Sequence, residues 1–225
     1  MSTQLDLQEQ EQLDALKAFW KHYGNLVTWV LILLLGLYAG WNGWNYWQRD
    51  QALKASSMFD ALEQAAQAGD ADKSARVFAD LKERFPRTTF AEQGALAAAK
   101  VQFDKGQIDA AKASLTWAAE NATEEEYRTI ARLRLAAVLE GAKDYDAALK
   151  QLDAAKADGF EALVADRRGD VLAAAGKKDE AKAAYQAAYK AMDEKQEYRR
   201  LIEAKLIALG VAPAPDAAAA SGAAK

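Results

Sequence analysis

A single histidine, His22, and no cysteine leave this chain with little of the usual equipment for catalysis. Thiolate nucleophiles, disulfides and cysteine-based zinc sites are excluded outright. His22 stands between Lys21 and Tyr23 at the edge of a long apolar run. An imidazole there reads as an interfacial side chain rather than a general base. Metal binding would fall to clustered carboxylates, and the one dense group is Glu124, Glu125 and Glu126. Consecutive acids suit the first turn of a helix, where the positive end of the macrodipole favours them. The glycines occur singly, so no loop is built to cradle a phosphate. The reading is a non-enzyme with no cofactor and no metal.

Other residues suggest recognition rather than reaction. Asp166 and Asp170 are like charges one helical turn apart, which weakens a lone helix slightly. Arg167 and Arg168 lie between them. Two readings stand side by side: an intramolecular ion-pair network, or a set of contacts for a partner, since exposed pairs stabilise folds little. Lys100 and Phe103 form a second candidate pair, although a phenylalanine at such spacing is more often core than contact. All five matter only if the elements beneath them place them on one surface.

Those elements are helices. The chain of 225 residues is rich in alanine, leucine and charged residues and has three prolines, a composition that favours an all-α fold. A small residue recurs at Ser74, Ala111, Ala148 and Ala181, with separations of 37, 37 and 33 residues. Four residues after each comes a large one: Phe78, Leu115, Leu152 and Tyr185. A small residue lets antiparallel helices approach, and the large one fills the groove beside it. The spacing lies close to the 34-residue tetratricopeptide period, so residues 49–210 are expected to form a tetratricopeptide-like helical-repeat solenoid. Gly69, Gly106 and Gly176 break the helix pairs. The third copy departs, with Gly141 displaced by two residues and Tyr145 in the aromatic slot. In this register Lys100 and Phe103 fall on the first helix of the second repeat. Asp166, Arg167 and Asp170 fall on the first helix of the last, and the inner faces of such helices line a concave groove. Arg168 takes a leucine's usual place and is positioned to tie one repeat to the next.

Thr123 followed by Glu126 predicts a capping box and a helix start just before Tyr127. Tyr198, Leu201, Ile202, Leu206 and Leu209 share a face of a last helix, ended by Gly210 and covering the open end of the stack. Residues 211–225 are rich in alanine and proline and are expected to be a disordered tail.

Ahead of the repeats, residues 23–48 carry no charged side chain. Their apolar heart, LVTWVLILLLGLYAG at 26–40, is long enough to cross a bilayer core of roughly 30 Å, which takes about 20 helical residues. Trp20, with Phe19 and Tyr23, lies on one side; Trp41, Trp44, Tyr46 and Trp47 lie on the other. Amphipathic rings prefer the headgroup level, so these read as interfacial belts. No small-residue cleavage pattern follows the run, which makes it a retained anchor rather than a signal peptide. Residues 1–22 form a short segment before it, with a helix expected over 4–16. Lys17 and Lys21 on one side balance Arg49 and Lys54 on the other, so charge leaves the orientation open. The net charge of −4 gives no basic footprint for nucleic acid.

Three stretches carry a wider likeness: LDALKAFWKHYGN at 13–25, GWNGWNYWQ at 40–48, and GFEALVADRRGDVLAAAGKKDEAKAAY at 159–185. In that order, around the apolar helix, they make the chain resemble the YfgM-like family from about residue 8 to 209. These are bacterial inner-membrane ancillary subunits of the SecYEG translocon with a tetratricopeptide-like periplasmic domain. The resemblance implies a cytoplasmic N-terminus, a periplasmic repeat domain, and an adaptor linking the translocon to periplasmic chaperones such as PpiD and to secretory polypeptides. The alternative is a scaffold for cell-envelope or division machinery using the same groove.

Overall fold

The computed structural model describes residues 7–211. Among these residues every regular element is a helix: α1 (Leu7–Gln67), α2 (Ala71–Arg84), α3 (Thr89–Asp104), α4 (Ile108–Asn121), α5 (Glu125–Gly141), α6 (Tyr145–Ala154), α7 (Glu161–Ala174), α8 (Lys178–Ala191) and α9 (Tyr198–Ala208). The chain divides into two compact units, Met1–Gln51 and Ala52–Lys225. The tail expected over 211–225 lies outside the described residues except for Val211, as do the first six residues of the N-terminal segment.

In the first unit α1 is unbroken from Leu7, so the helix expected before the apolar run is continuous with it. The apolar side chains of the run face outward with nothing in the unit covering them; Leu33 is 62% exposed and Trp41 70%. An exposed apolar surface of this extent needs a cover, and lipid is the one that matches a charge-free helix.

In the second unit Ala55 and Leu62, on the rest of α1, share core clusters with Leu81 and Phe78 of α2, and α3 pairs with α4, α5 with α6, and α7 with α8. Neighbours in sequence are neighbours in space. Ser74, Ala111, Ala148 and Ala181 each stand fourth in their helices and are fully buried, as the repeat register predicts. Four residues on, Phe78, Leu115, Leu152 and Tyr185 are buried as well. More than half of the buried apolar residues are alanines, which lets the helix backbones come close. Ile202 and Leu206 of α9 pack on Tyr185 and Leu172, covering the end of the stack. Leu201 is exposed instead, because it lies about 100° around the helix from Ile202.

Each hairpin turn has the same hydrogen-bond pattern. Gly106 N–H reaches the Phe103 carbonyl at 2.9 Å, and Gln107 N–H reaches that of Gln102 at 2.8 Å. This crossed pair closes a helix with one residue in the left-handed region. Gly69, Gly106 and Gly176 take that conformation, but in the third hairpin it falls to Lys143, at φ 63°. Gly141 remains inside α5, so the displaced glycine does not move the turn.

The capping box does not form. The N-cap of α5 is Glu124, with no side-chain cap, one residue later than Thr123. The Thr123 N–H is already taken by the buried carboxylate of Glu92, on α3, at 2.6 Å. A carboxylate from a neighbouring helix thus does the work that Glu126 would do locally.

Candidate partner-binding groove

The first helices of successive pairs lie side by side, α3 against α5 and α5 against α7. Between them is a concave cavity of about 540 Å³. Its floor is apolar, with Ala99, Leu133, Ala137 and Leu163. Alanine keeps the floor deep where leucine on every helix would fill it. Around it stand Lys100 and Phe103 of α3, Arg134 of α5, Asp166 and Arg167 of α7, and Tyr198 of α9. Four of the five residues singled out in the sequence therefore share one cavity. Phe103 is 49% exposed there, a wall residue rather than a core one.

Asp166 and Asp170 are engaged from within. Asp166 is only 2% exposed. Both of its carboxylate oxygens lie 2.8 Å from Lys205 Nζ, and Oδ2 also accepts the Tyr198 hydroxyl at 2.8 Å. Lys205 Nζ is 2.7 Å from Asp170 Oδ1, which accepts the Tyr185 hydroxyl at 2.8 Å. The like charges at i,i+4 are thereby bridged by a lysine of α9, which offsets one of the two. Arg167 contributes at longer range, 3.4 Å from Asp170 and 3.8 Å from Glu140. Burial, then the hydrogen bond to Asp166, pushes the Tyr198 hydroxyl up to about 12. Burial and Asp170 raise Tyr185 still further. Both phenols therefore stay protonated and keep donating. Burial also raises Glu140, against the pull of Arg167. The network is a latch: it fixes α9 as the end wall of the groove and uses up the acids that would otherwise face a ligand.

Residues 17–211 match the tetratricopeptide repeat-like domain family. The chain is 32% identical to the ancillary SecYEG translocon subunit of Neisseria gonorrhoeae, over 90% of this chain and 98% of the relative. It is 34% identical to the Escherichia coli subunit of that name, over 81% of this chain and 87% of that protein. The Haemophilus influenzae subunit is 29% identical over 81% and 89%. The chain belongs to the ancillary SecYEG translocon subunit family.

For a member of this family, the remaining expected positions fall as follows. Arg168 holds Asp153 of α6 at 2.7 Å, tying the third helix pair to the fourth. Trp20, Trp41, Trp44 and Trp47 all point outward from α1, with the Trp44 and Trp47 rings 5.2 Å apart. Sequence reasoning missed Arg134 and Lys205. Arg134 stands 33 residues before Arg167, one repeat period, so the period would have found it. Lys205 is 39 residues from Asp166, and no local pattern joins them.

Proposed function

We propose that this chain is a single-pass inner-membrane adaptor of the SecYEG translocon that binds partner proteins in the groove of its repeat unit. Residues 23–48 are the anchor, residues 1–22 lie in the cytoplasm, and the repeats over 49–210 lie in the periplasm. The partners are periplasmic folding factors such as PpiD, together with emerging secretory polypeptides. Trp20, Trp41, Trp44 and Trp47 sit at the two membrane surfaces. In the groove Lys100, Phe103 and Arg167 meet the partner, while Asp166 and Asp170 hold the end wall in place.

The reading is carried by one observation: likeness to the Neisseria subunit spans 98% of that protein, apolar helix and repeats together. Tethering confines both partners to one surface and raises their effective concentration, so weak contacts in an open groove suffice. The uncovered apolar side chains of α1 support the anchor. The test is crosslinking in living cells from a photoreactive residue placed in turn at Trp41, Phe103 and Arg134. Adducts with translocon subunits from Trp41, and with periplasmic folding factors from the groove, are expected. Adducts with cytoplasmic proteins alone would reverse the orientation and remove the translocon role.

A further inference from the structure

Three cations look into the groove, one from each of its helices: Lys100 of α3, Arg134 of α5 and Arg167 of α7. Arg134 and Arg167 occupy the same register, each nine residues before the left-handed residue that closes its helix turn, Lys143 and Gly176. Lys100 is one helical turn further on, six residues before Gly106. The repeat architecture therefore sets positive charge at successive steps along one wall of an apolar trough. This happens in a chain whose net charge is −4.

The acids nearby cancel only part of this charge: Arg167 is shared with Asp170 at 3.4 Å and Glu140 at 3.8 Å, which leaves Arg134 and Lys100 to face a ligand. Asp166 and Asp170 are held by Lys205. Lys100 pairs with Asp104 at 2.6 Å, but both side chains are exposed, and such i,i+4 pairs are worth little and exchange freely. Among the described residues Arg134 has one hydrogen bond, 3.4 Å to the Leu96 carbonyl, and no carboxylate within ion-pair distance. An exposed guanidinium beside an apolar floor, with its bidentate face unused, is suited to a carboxylate.

Resting on the adaptor reading, we infer that the groove takes an acidic amphipathic segment of a partner protein, its apolar side chains on the Leu133–Ala137 floor and its carboxylates on Arg134 and Lys100 and, in part, on Arg167. Adjacent helices pack at about 8–10 Å, so the cations span roughly 20 Å, about 14 residues of helix. One acid per heptad on the flank of an apolar stripe matches that spacing. A basic segment of the same shape meets like charge along the wall.

The test uses the full-length chain in phosphatidylcholine nanodiscs, with empty nanodiscs as the blank. The probes are a fluorescein-labelled helical peptide of leucine and glutamate, about 14 residues long, and its twin with every glutamate replaced by lysine. Fluorescence anisotropy is expected to show the glutamate peptide binding about tenfold or more tightly than the lysine peptide, less so as salt is raised. Arg134→Glu, at an exposed position, is expected to remove most of that preference, with the helical circular dichroism unchanged. Arg134→Ala is expected to weaken only the acidic peptide. Equal affinity for both peptides, no binding of either, or indifference to Arg134→Glu would overturn the inference. The adaptor reading is decided separately, by whether Phe103 crosslinks to periplasmic partners in cells.

Discussion

Lys143 holds a backbone conformation that glycine holds at Gly69, Gly106 and Gly176 in the equivalent turns. An L-residue in the left-handed region costs about 1–2 kcal/mol, and part of that is offset because glycine loses more freedom on folding. Lys143→Gly is therefore expected to stabilise the repeats by about 0.5–1 kcal/mol in urea titrations. No gain would mean that the lysine is held there by something other than the turn. Glu92 makes a second residue-scale prediction. Its Oε1 caps the Thr123 N–H, while Oε2 is buried without a partner. Burial raises its carboxyl above the ordinary 4.5, against the Thr123 and Glu124 amides that pull it down. The folded chain thus holds this proton more tightly than the unfolded one. The stability that follows is complete below about 4.5 and is lost as pH rises through the folded value, by about 1.4 kcal/mol for each unit of difference. Glu92→Gln keeps an acceptor for Thr123 and nothing to titrate, so its urea midpoint should gain on the parent as pH rises. Parallel profiles between pH 4 and pH 8 would sink the assignment. Neither site was legible from local pattern. The displaced Gly141 signalled an irregular third turn without saying which residue would take the strain. The capping-box spacing at Thr123 could not reveal that a carboxylate 31 residues earlier already held the amide.

At the scale of elements, α9 is fastened by both packing and charge. Ile202 and Leu206 are buried against the fourth helix pair, and Lys205 sits between Asp166 and Asp170. Lys205→Met would leave Asp166 buried with only the Tyr198 hydroxyl, and stranding a buried charge costs about 3–5 kcal/mol. Hydrogen exchange should then show α9 amides opening first while α3 to α6 keep their protection. A loss below about 1 kcal/mol would show that packing alone holds the helix. The helix pairs themselves were readable in the sequence because the small residues must recur wherever two backbones meet. Ser74, Ala111, Ala148 and Ala181 are buried for that reason. The latch was not readable, because its lysine and its aspartates belong to different helices and share no period. Arg168 was the exception: a charge in a leucine's place marked a tie, and Asp153 is its partner.

At the scale of the molecule, the charge-free run decides where the protein resides. Leu33 and Leu34 lie in the apolar heart of 26–40, and a buried arginine costs about 2.5–3.5 kcal/mol of insertion at a helix centre. Leu33→Arg and Leu34→Arg together should release a large share of the chain from membranes washed at alkaline pH. Retention equal to the parent would contradict a spanning helix. The membrane segment was the most legible part of the sequence, since lipid imposes a demand on composition that no local context relaxes. Orientation was the least legible, because the flanking lysines and arginines balance.

The alanine-built interior of the repeats also bears on temperature. Heat capacity on unfolding follows the apolar surface released to water, and a methyl group releases far less than a leucine side chain. The repeat transition should therefore carry a smaller heat-capacity increment than the usual value of about 12–15 cal/mol/K per residue, measurable by scanning calorimetry of the chain in micelles. A small increment flattens the stability curve. Such a stack would lose little hold in the cold and give way gradually in the heat, serving a cell across a broad span of growth temperatures without a large stability at any one of them.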